Sequence, residues 1–564
     1  MTLTYFLPER LITVRKGTPQ TECAEKNVAV EETNMIYGRR LIGAAVTAFT
    51  MLAAPVATAE TPPDTLIQAW AIDDVISLDP AEIFEFTASE IAGNAYEGLI
   101  GYDPKDVSKI FGKVAESWTI APDGMSISFK IREGRKFASG NEITAEDVVF
   151  SLTRAVKLDK SPAFILTQFG LNADNVDQMV VQTGPYSLDF KMDKAYAPTL
   201  VLYCLTATVG FVVDKKVVME HESNGDFGYE WLKTNYAGSG PFTIREWRAN
   251  EAVVMERNDN YSGDAPPMAR VIYRHIPEGA TQRLLLEQGD IDIARNLGAE
   301  EMTALASNTD LVIDTGAKGS IYYLGLNQKN EFLSKPEVRQ AMKYLVDYQT
   351  IADTIMKGKV TVHQAFLPNG FLGALNDTPF SLDVAKAKEL LAAAGVPDGF
   401  TVTMDTRNTP EITGIAQAIQ QTMAEAGITM ELIPGDGQQT LTKYRARNHD
   451  IYIGRWGPDY QDPHTNADTF ARNPDNSDDA ASKPLAWRNS WEIPEMTLMA
   501  DAAVLEADAG KRAEMYIELQ KEHQQTSPFV IMFQEIEVLG RRKNIDGYIL
   551  GPSFNDNSFA LVTK

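Results

Sequence analysis

Asp383-Val-Ala-Lys-Ala-Lys-Glu-Leu-Leu-Ala-Ala-Ala-Gly395 leads into Phe400-Thr-Val-Thr-Met404, and Ile412-Thr-Gly-Ile-Ala-Gln-Ala-Ile-Gln-Gln-Thr-Met-Ala-Glu-Ala-Gly427 leads into Ile428-Thr-Met-Glu-Leu-Ile433. The longer stretches predict helices over 383–394 and 412–426, because each closes on a glycine suited to the left-handed turn that caps a helix C-terminus. The shorter runs predict strands. Helix and strand in alternation are the pattern of an α/β protein.

The alternation extends outward. Ser126 to Lys130 alternates polar and apolar, the period of a half-buried strand. Thr144-Ala-Glu-Asp147 reads as a capped helix start, with Val148, Leu152, Ala155 and Val156 in one apolar stripe. Ser334-Lys-Pro336-Glu337 opens another helix, with Ser as cap, Pro in the first turn and Glu at the positive dipole end. Val338, Ala341, Met342 and Leu345 face its core. The expected boundaries are the turn Gly238-Ser-Gly-Pro241, a strand from Tyr322 to Asn327, and Pro528 to Gln534. An insertion that leaves one lobe and later returns leaves the last 35 residues to complete that lobe, and paired crossing strands between lobes make a hinge. Ala195 to Val213 is an uncharged run of nineteen residues. Its Pro198, Gly210 and three threonines predict a buried strand-turn-strand rather than a membrane span.

From Met35 the chain reads as an export leader: Arg39-Arg40, fourteen mostly apolar residues from Leu41 to Ala54, then Ala57-Thr58-Ala59. Residues 35–59 are expected to be removed, and 1–34 form an upstream extension. The general secretory route is favoured over the twin-arginine route. No cysteine follows the apolar run, so the expectation is a freely soluble periplasmic protein without a lipid anchor. The remaining 505 or so residues exceed what one hydrophobic core supports, which predicts two or three lobes. The two cysteines are Cys23, in the extension, and Cys204, read as a core residue, so no disulfide is expected. A net charge of -25 repels nucleic acid and anionic lipid and argues against both as partners.

Catalytic motifs are missing. There is no Gly-x-Ser-x-Gly elbow, no phosphate loop and no His-Glu-x-x-His helix, and none of the six histidines lies three to five residues from another. No catalytic residue, metal or cofactor is therefore expected. Asn258-Asp259-Asn260 reads as a turn rather than a calcium loop, since Gly and the distal Glu are missing. The densest segment is Asp450-Ile-Tyr-Ile-Gly-Arg-Trp456-Gly-Pro-Asp459-Tyr460-Gln-Asp462-Pro463-His464, an alternating strand entering a loop with an aromatic face and carboxylates. It suits a ligand loop at a strand end, or equally a surface turn with a half-buried Trp456. A hydrolase reading pairs Asp459 with Asp462, but their spacing on a Pro-containing loop does not ensure the ~5–9 Å separation that glycoside cleavage needs.

Taken together, Ser77-Leu-Asp-Pro80, Tyr96-Glu-Gly-Leu99, Ala115-Glu-Ser-Trp118, Thr144-Ala-Glu-Asp-Val-Val-Phe-Ser151, Gly238-Ser-Gly-Pro-Phe242, Arg257-Asn-Asp-Asn-Tyr261, Gly289-Asp-Ile-Asp292, Pro336-Glu-Val-Arg339 and Ala385-Lys-Ala-Lys-Glu-Leu-Leu391 carry a resemblance over nearly the whole mature length. In number and order they resemble the extracytoplasmic solute-binding proteins of ABC importers, in the dipeptide, oligopeptide and nickel-binding group, family 5. The resemblance implies an α/β, three-lobed periplasmic-binding-protein fold (type II, cluster C) with a ligand cleft between two hinged lobes. Lobe I would hold 60–105, 237–320 and 530–564, lobe II 106–236, and lobe III 321–529. It further implies a monomer that needs no cofactor, captures a peptide-like solute and delivers it to permease subunits served by separate ATPase subunits. In peptide-binding relatives the carboxylate three residues after the loop tryptophan holds the α-ammonium, a place that Asp459 occupies. Arg407 resembles the arginine that pairs with a dipeptide carboxylate. Phe84, Glu85 and Phe86 would face the cleft from the other lobe, and Trp456 and Tyr460 would wall the pocket. The same scaffold occurs in binders of opines, glycosides and metal chelates.

Overall fold

The computed structural model describes residues 61–480 and 482–564; the expected extension 1–34, with Cys23, and the leader 35–59 lie outside them. The helix predicted at 383–394 spans Val384–Ala393 and is capped by the Asp383 carboxylate, which accepts from Lys386 N at 2.8 Å. The next helix spans Pro410–Glu425. Gly395 and Gly427, at φ +78° and +87°, adopt the left-handed conformation that ends both. The strands that follow, Thr401–Arg407 and Thr429–Gly435, pair in parallel, as helical crossovers require.

Those strands form one end of an eleven-stranded sheet that runs through the molecule. Beyond them come Ile451–Trp456, then two long antiparallel strands, Leu311–Leu326 and Phe529–Arg542. On the far side lie Ile293–Ala294, Thr65–Trp70, Arg270–His275, Ala252–Arg257 and Phe242–Arg248. The two long strands thus serve both halves of the sheet. Tyr322 to Asn327, read as a short strand, is largely the second half of one of them. Its first half was missed because Leu311 to Ser320 lacks a clean alternation. Where the halves meet the pairing slips, from Ala317 opposite Ile536 to Ile321 opposite Gln534, so Lys318, Gly319 and Ser320 bulge out against Glu535 alone.

A buried charge network lies behind the bulge. Arg295 grips both oxygens of Glu90 at 2.9 Å and also contacts Glu537, while Lys318 Nζ lies 2.8 Å from Glu537. Asn557 donates to Glu90 and Glu537 at 2.8 and 3.1 Å. Five distant stretches of chain are thereby joined.

Residues 115–191 form a separate four-stranded antiparallel sheet covered by the helix Ala145–Leu158. That helix starts as expected, with Thr144 N and Oγ1 each 2.9 Å from an Asp147 carboxylate oxygen. Its Arg154 makes a buried bidentate pair with Asp79, at 2.8 and 2.6 Å. Asn258-Asp259-Asn260 is a turn, in which Asn260 N donates to Asn258 Oδ1 at 2.9 Å. The run 195–213 is buried but is not strand-turn-strand: Pro198–Cys204 is a helix and Thr208–Gly210 a 3-10 turn. Pro198 supplies the first helical turn, and burial of Leu200, Val201 and Cys204 in the core overrides β propensity. In the helix Pro336–Lys343 the cap position is Lys335 rather than Ser334, whose hydroxyl instead donates to Glu331 O at 3.2 Å. Among the described residues no helix is long and apolar enough to cross a membrane.

Lys343 ends that helix fully buried, donating to Gln524 O at 2.6 Å and facing the Phe380 ring at 5.4 Å, with no carboxylate in ion-pair range among the described residues. Burial, reinforced by Arg339, pushes its pKa down to about 7. The unfolded chain then holds a proton that the fold releases between about pH 7 and 10.4, so stability rises with pH across that window, by at most about 1.4 kcal/mol per unit. Lys343→Met is expected to raise the melting temperature at pH 7, with the gain shrinking toward pH 10 in thermal melts.

Candidate functional site

A cavity of about 250 Å³ opens where the bulge meets the loop after Ile451–Trp456. Its walls are Ile83, Phe84, Phe86 and Ser89, Thr206–Thr208, the bulge Lys318–Ser320, Arg455–Tyr460, and Pro552–Asn555 with Tyr102 and Ile165. Bulge and loop pack closely because both carry glycine. A Cβ on Gly319 would lie 2.9 Å from Pro458 Cγ, and one on Gly457 3.1 Å from Ser320 Oγ and 3.2 Å from a Phe86 ring carbon.

The structure brings Trp456, Asp459, Tyr460, Phe84 and Phe86 to this cavity. Trp456 stands edge-on to Phe470, with centroids 5.6 Å apart, and Phe86 packs on Phe554 at 4.7 Å. Tyr460 reaches across into the core built from Leu99 to Val212, its hydroxyl 3.4 Å from Gln168 Oε1. Two expected residues are not among the lining groups. Glu85 folds back so that its carboxylate accepts from Phe84 N at 3.2 Å. Arg407 lies elsewhere, exposed, with its guanidinium carbon 3.4 Å from where a Cβ on Gly437 would stand. The register explains this: Asp405 sits beside Tyr452, so the strand of Arg407 lies one strand farther from the crossing pair and stops short of the level of Trp456.

The cavity's guanidinium is instead that of Arg455, 2.6 Å from Glu535 and stacked 4.7 Å over the Phe86 ring. Burial works against its charge, but the facing Glu535 carboxylate more than offsets this and raises the pKa. Lys318 is the second cation at the wall. Neither was legible beforehand: Arg455 sits in the strand-end motif without a distinguishing pattern, and Lys318 depends on a bulge visible only in the pairing.

The two loop carboxylates differ in kind. Asp462 is fully buried and does not line the cavity; it makes a bidentate pair with Arg512, 2.7 Å for each bond, and accepts from His464 N at 2.9 Å. That removes the facing carboxylate pair of the hydrolase reading. Asp459 faces the cavity with no cation in ion-pair range among the described residues. Its backbone N donates to Thr465 Oγ1 at 3.1 Å, and that hydroxyl lies 3.4 Å from Asp459 Oδ2. Burial, with the charge of Asp468 adding to it and Thr465 opposing, pushes the Asp459 pKa up to about 7. Among the described residues no group of three or more His, Cys, Asp or Glu is placed to hold a metal ion.

The profile of the bacterial extracellular solute-binding proteins, family 5 (middle), matches residues 109–478. The chain is 28% identical to the "Probable D,D-dipeptide-binding periplasmic protein DdpA" of Escherichia coli (strain K12), over 90% of this chain and 96% of that one. It is 24% identical to the glutathione-binding protein GsiB of Pectobacterium atrosepticum, over 92% and 98%. The dipeptide-binding protein of Pseudoalteromonas sp. SM9913, solved with Met-Leu, superposes with a TM-score of 0.75 at 20% identity, covering 89% of this chain and 100% of the other.

Opposite stability effects are expected at the two carboxylates. Asp462→Ala strands Arg512 in the interior and should cost about 3–5 kcal/mol in denaturant unfolding. Asp459 ionises at about pH 7 when folded and near 4 when unfolded, so its charge erodes stability as pH rises through that window. Asp459→Asn should therefore melt higher than the native protein at pH 8, with the difference vanishing near pH 4.

Proposed function

Because the chain belongs to the bacterial extracellular solute-binding proteins of family 5, we propose that its cavity captures a small peptide-like solute by the ammonium group and delivers it unaltered to the permease subunits of an ABC importer. The observation that carries this reading is the Asp459 carboxylate, which lines the cavity with no cation in ion-pair range among the described residues. A carboxylate and an ammonium ~4 Å apart attract by about 4 kcal/mol at an effective dielectric of 20, which helps offset the desolvation of both. Trp456, Tyr460, Phe84 and Phe86 supply apolar walls for the rest of the solute.

Lobe I, residues 60–105, 237–320 and 530–564, and lobe III, residues 321–529, close on the solute about the crossing strands, with lobe II, 106–236, alongside. The mature protein acts in the periplasm as a soluble monomer, without a lipid anchor and without catalysis. The burial of Asp462 under Arg512 supports the last point, since it takes that carboxylate away from the cavity that Asp459 lines.

Asp459→Ala is expected to weaken a ligand with a free amino terminus by about 2–5 kcal/mol, the cost of removing one partner of a buried charge pair. Circular dichroism should show the fold intact, and unchanged affinity in calorimetry would remove the anchor. Binding by the native protein should also respond to pH. Below about pH 7 the ammonium must displace a proton from Asp459, so affinity falls as pH falls; above about pH 8 the ligand's own amine deprotonates. Titrations at pH 6 in two buffers of different ionisation enthalpy should reveal proton release approaching one per ligand.

A further inference from the structure

Arg455 lines the same cavity as Asp459, at the end of the strand that leads into the loop, and its side chain keeps 33% of its surface exposed. A guanidinium carries five N–H groups in a rigid fork. Among the described residues two groups accept from this one: Glu535 Oε1, 2.6 Å from Nη1, and the Tyr322 hydroxyl. Glu535 holds it by that one oxygen, since its Oε2 is buried without a hydrogen-bond partner. The Phe86 ring, 4.7 Å from the guanidinium carbon, covers one face and fixes the plane. Phe86 is pinned in turn by Phe554, with ring centroids 4.7 Å apart, and by the close approach of Gly457. Arg455 is thus oriented by the protein on one edge and one face, with N–H groups left over at the cavity.

Lys318, the other cation at the wall, has no such surplus. Its three N–H groups meet Gly551 O at 2.6 Å, Asn557 Oδ1 at 2.7 Å and Glu537 Oε2 at 2.8 Å. Arg488 does not line the cavity and stands 5.6 Å from the Tyr444 ring centroid. Its charge nevertheless reaches Asp459, and among the described residues no carboxylate lies in ion-pair range of it, so it adds positive potential behind the loop. An ammonium gripped by Asp459 therefore lies in a cavity that also offers donors to an anion. A guanidinium fork pairs a carboxylate through charge-assisted bonds, roughly twice as strong as neutral ones, whereas a carboxamide brings it one neutral oxygen. Because Asp459 and Arg455 share one cavity of about 250 Å³, the two charges of the guest must lie close together.

Resting on the reading of Asp459 as the ammonium anchor, we propose that Arg455, fixed between Phe86 and Glu535, receives the carboxylate of the solute, so that the cavity selects compact zwitterions over amines whose carboxyl end is amidated.

The test is calorimetry at pH 7.0 on protein stripped of bound ligand, with alanyl-phenylalanine, alanyl-phenylalanine amide and N-acetyl-alanyl-phenylalanine. The zwitterion is expected to bind at least tenfold tighter than the amide, and the acetylated peptide not to bind. An amide that binds as tightly as the zwitterion overturns this inference while leaving the Asp459 anchor standing. Acetylated peptide that binds as tightly as the zwitterion, or binding of none of the three, overturns the anchor and with it both readings. Arg455→Met combined with Glu535→Gln removes both charges of the pair without stranding either, and the preference should fall to threefold or less. A tenfold preference that survives in a folded double variant overturns the role of Arg455. Arg455→Lys, which keeps the ion pair and loses the fork, gives the same readout should the double variant not fold. Arg407→Gln should keep the native preference, and its loss there would move the carboxylate to Arg407 and overturn the assignment.

Discussion

The antiparallel pairing of Leu311–Leu326 with Phe529–Arg542 is the constraint on which the rest of the molecule depends. Two strands far apart in sequence cross from one half of the sheet to the other, so each half must be built from several separated pieces of chain. The slip at Lys318–Ser320 lets the ladder turn between the halves, and it opens a wall of the cavity at that point. The buried network of Glu90, Arg295, Lys318, Glu537 and Asn557 fixes the bulge from behind. Removing one member would leave a buried charge unpaired, which is how such networks enforce a single arrangement.

The site has a division of labour among carboxylates that look alike in sequence. Asp462 is consumed in holding the loop, since Arg512 takes both of its oxygens and a backbone amide takes what remains. Asp459, three residues earlier, lines the cavity and meets a threonine hydroxyl at 3.4 Å, with no cation in ion-pair range among the described residues. Glu537 and Glu535, two residues apart on one strand, neutralise Lys318 and Arg455 respectively. What the cavity presents is then aromatic surface around the Asp459 carboxylate, with Arg455 and Lys318 at the same wall.

Much of the architecture could be read before any coordinates. The glycines at 395 and 427 end their helices because only that residue enters the left-handed region without cost, and Thr144 with Asp147 caps a helix through local bonds. The loop from Trp456 to Tyr460 stood out because an alternating strand ends in aromatic and acidic residues. Where local signals were outweighed, the reading went astray. The run 195–213 has strand composition, yet burial on all sides and Pro198 make part of it a helix. Arg407 has the right chemistry at a strand end, but register places it away from the cavity.

The sequence by itself determined the α/β class, the helix caps, the loop that carries Asp459 and the absence of catalytic motifs, because each is written in residues close together along the chain. Only the tertiary structure decided which charges are spent and which are free. Arg455 meets Glu535, Lys318 meets Glu537 and Asp462 meets Arg512 across separations of 50 to more than 200 residues. Such pairings follow from strand register and a two-residue slip in a ladder, which no local pattern encodes.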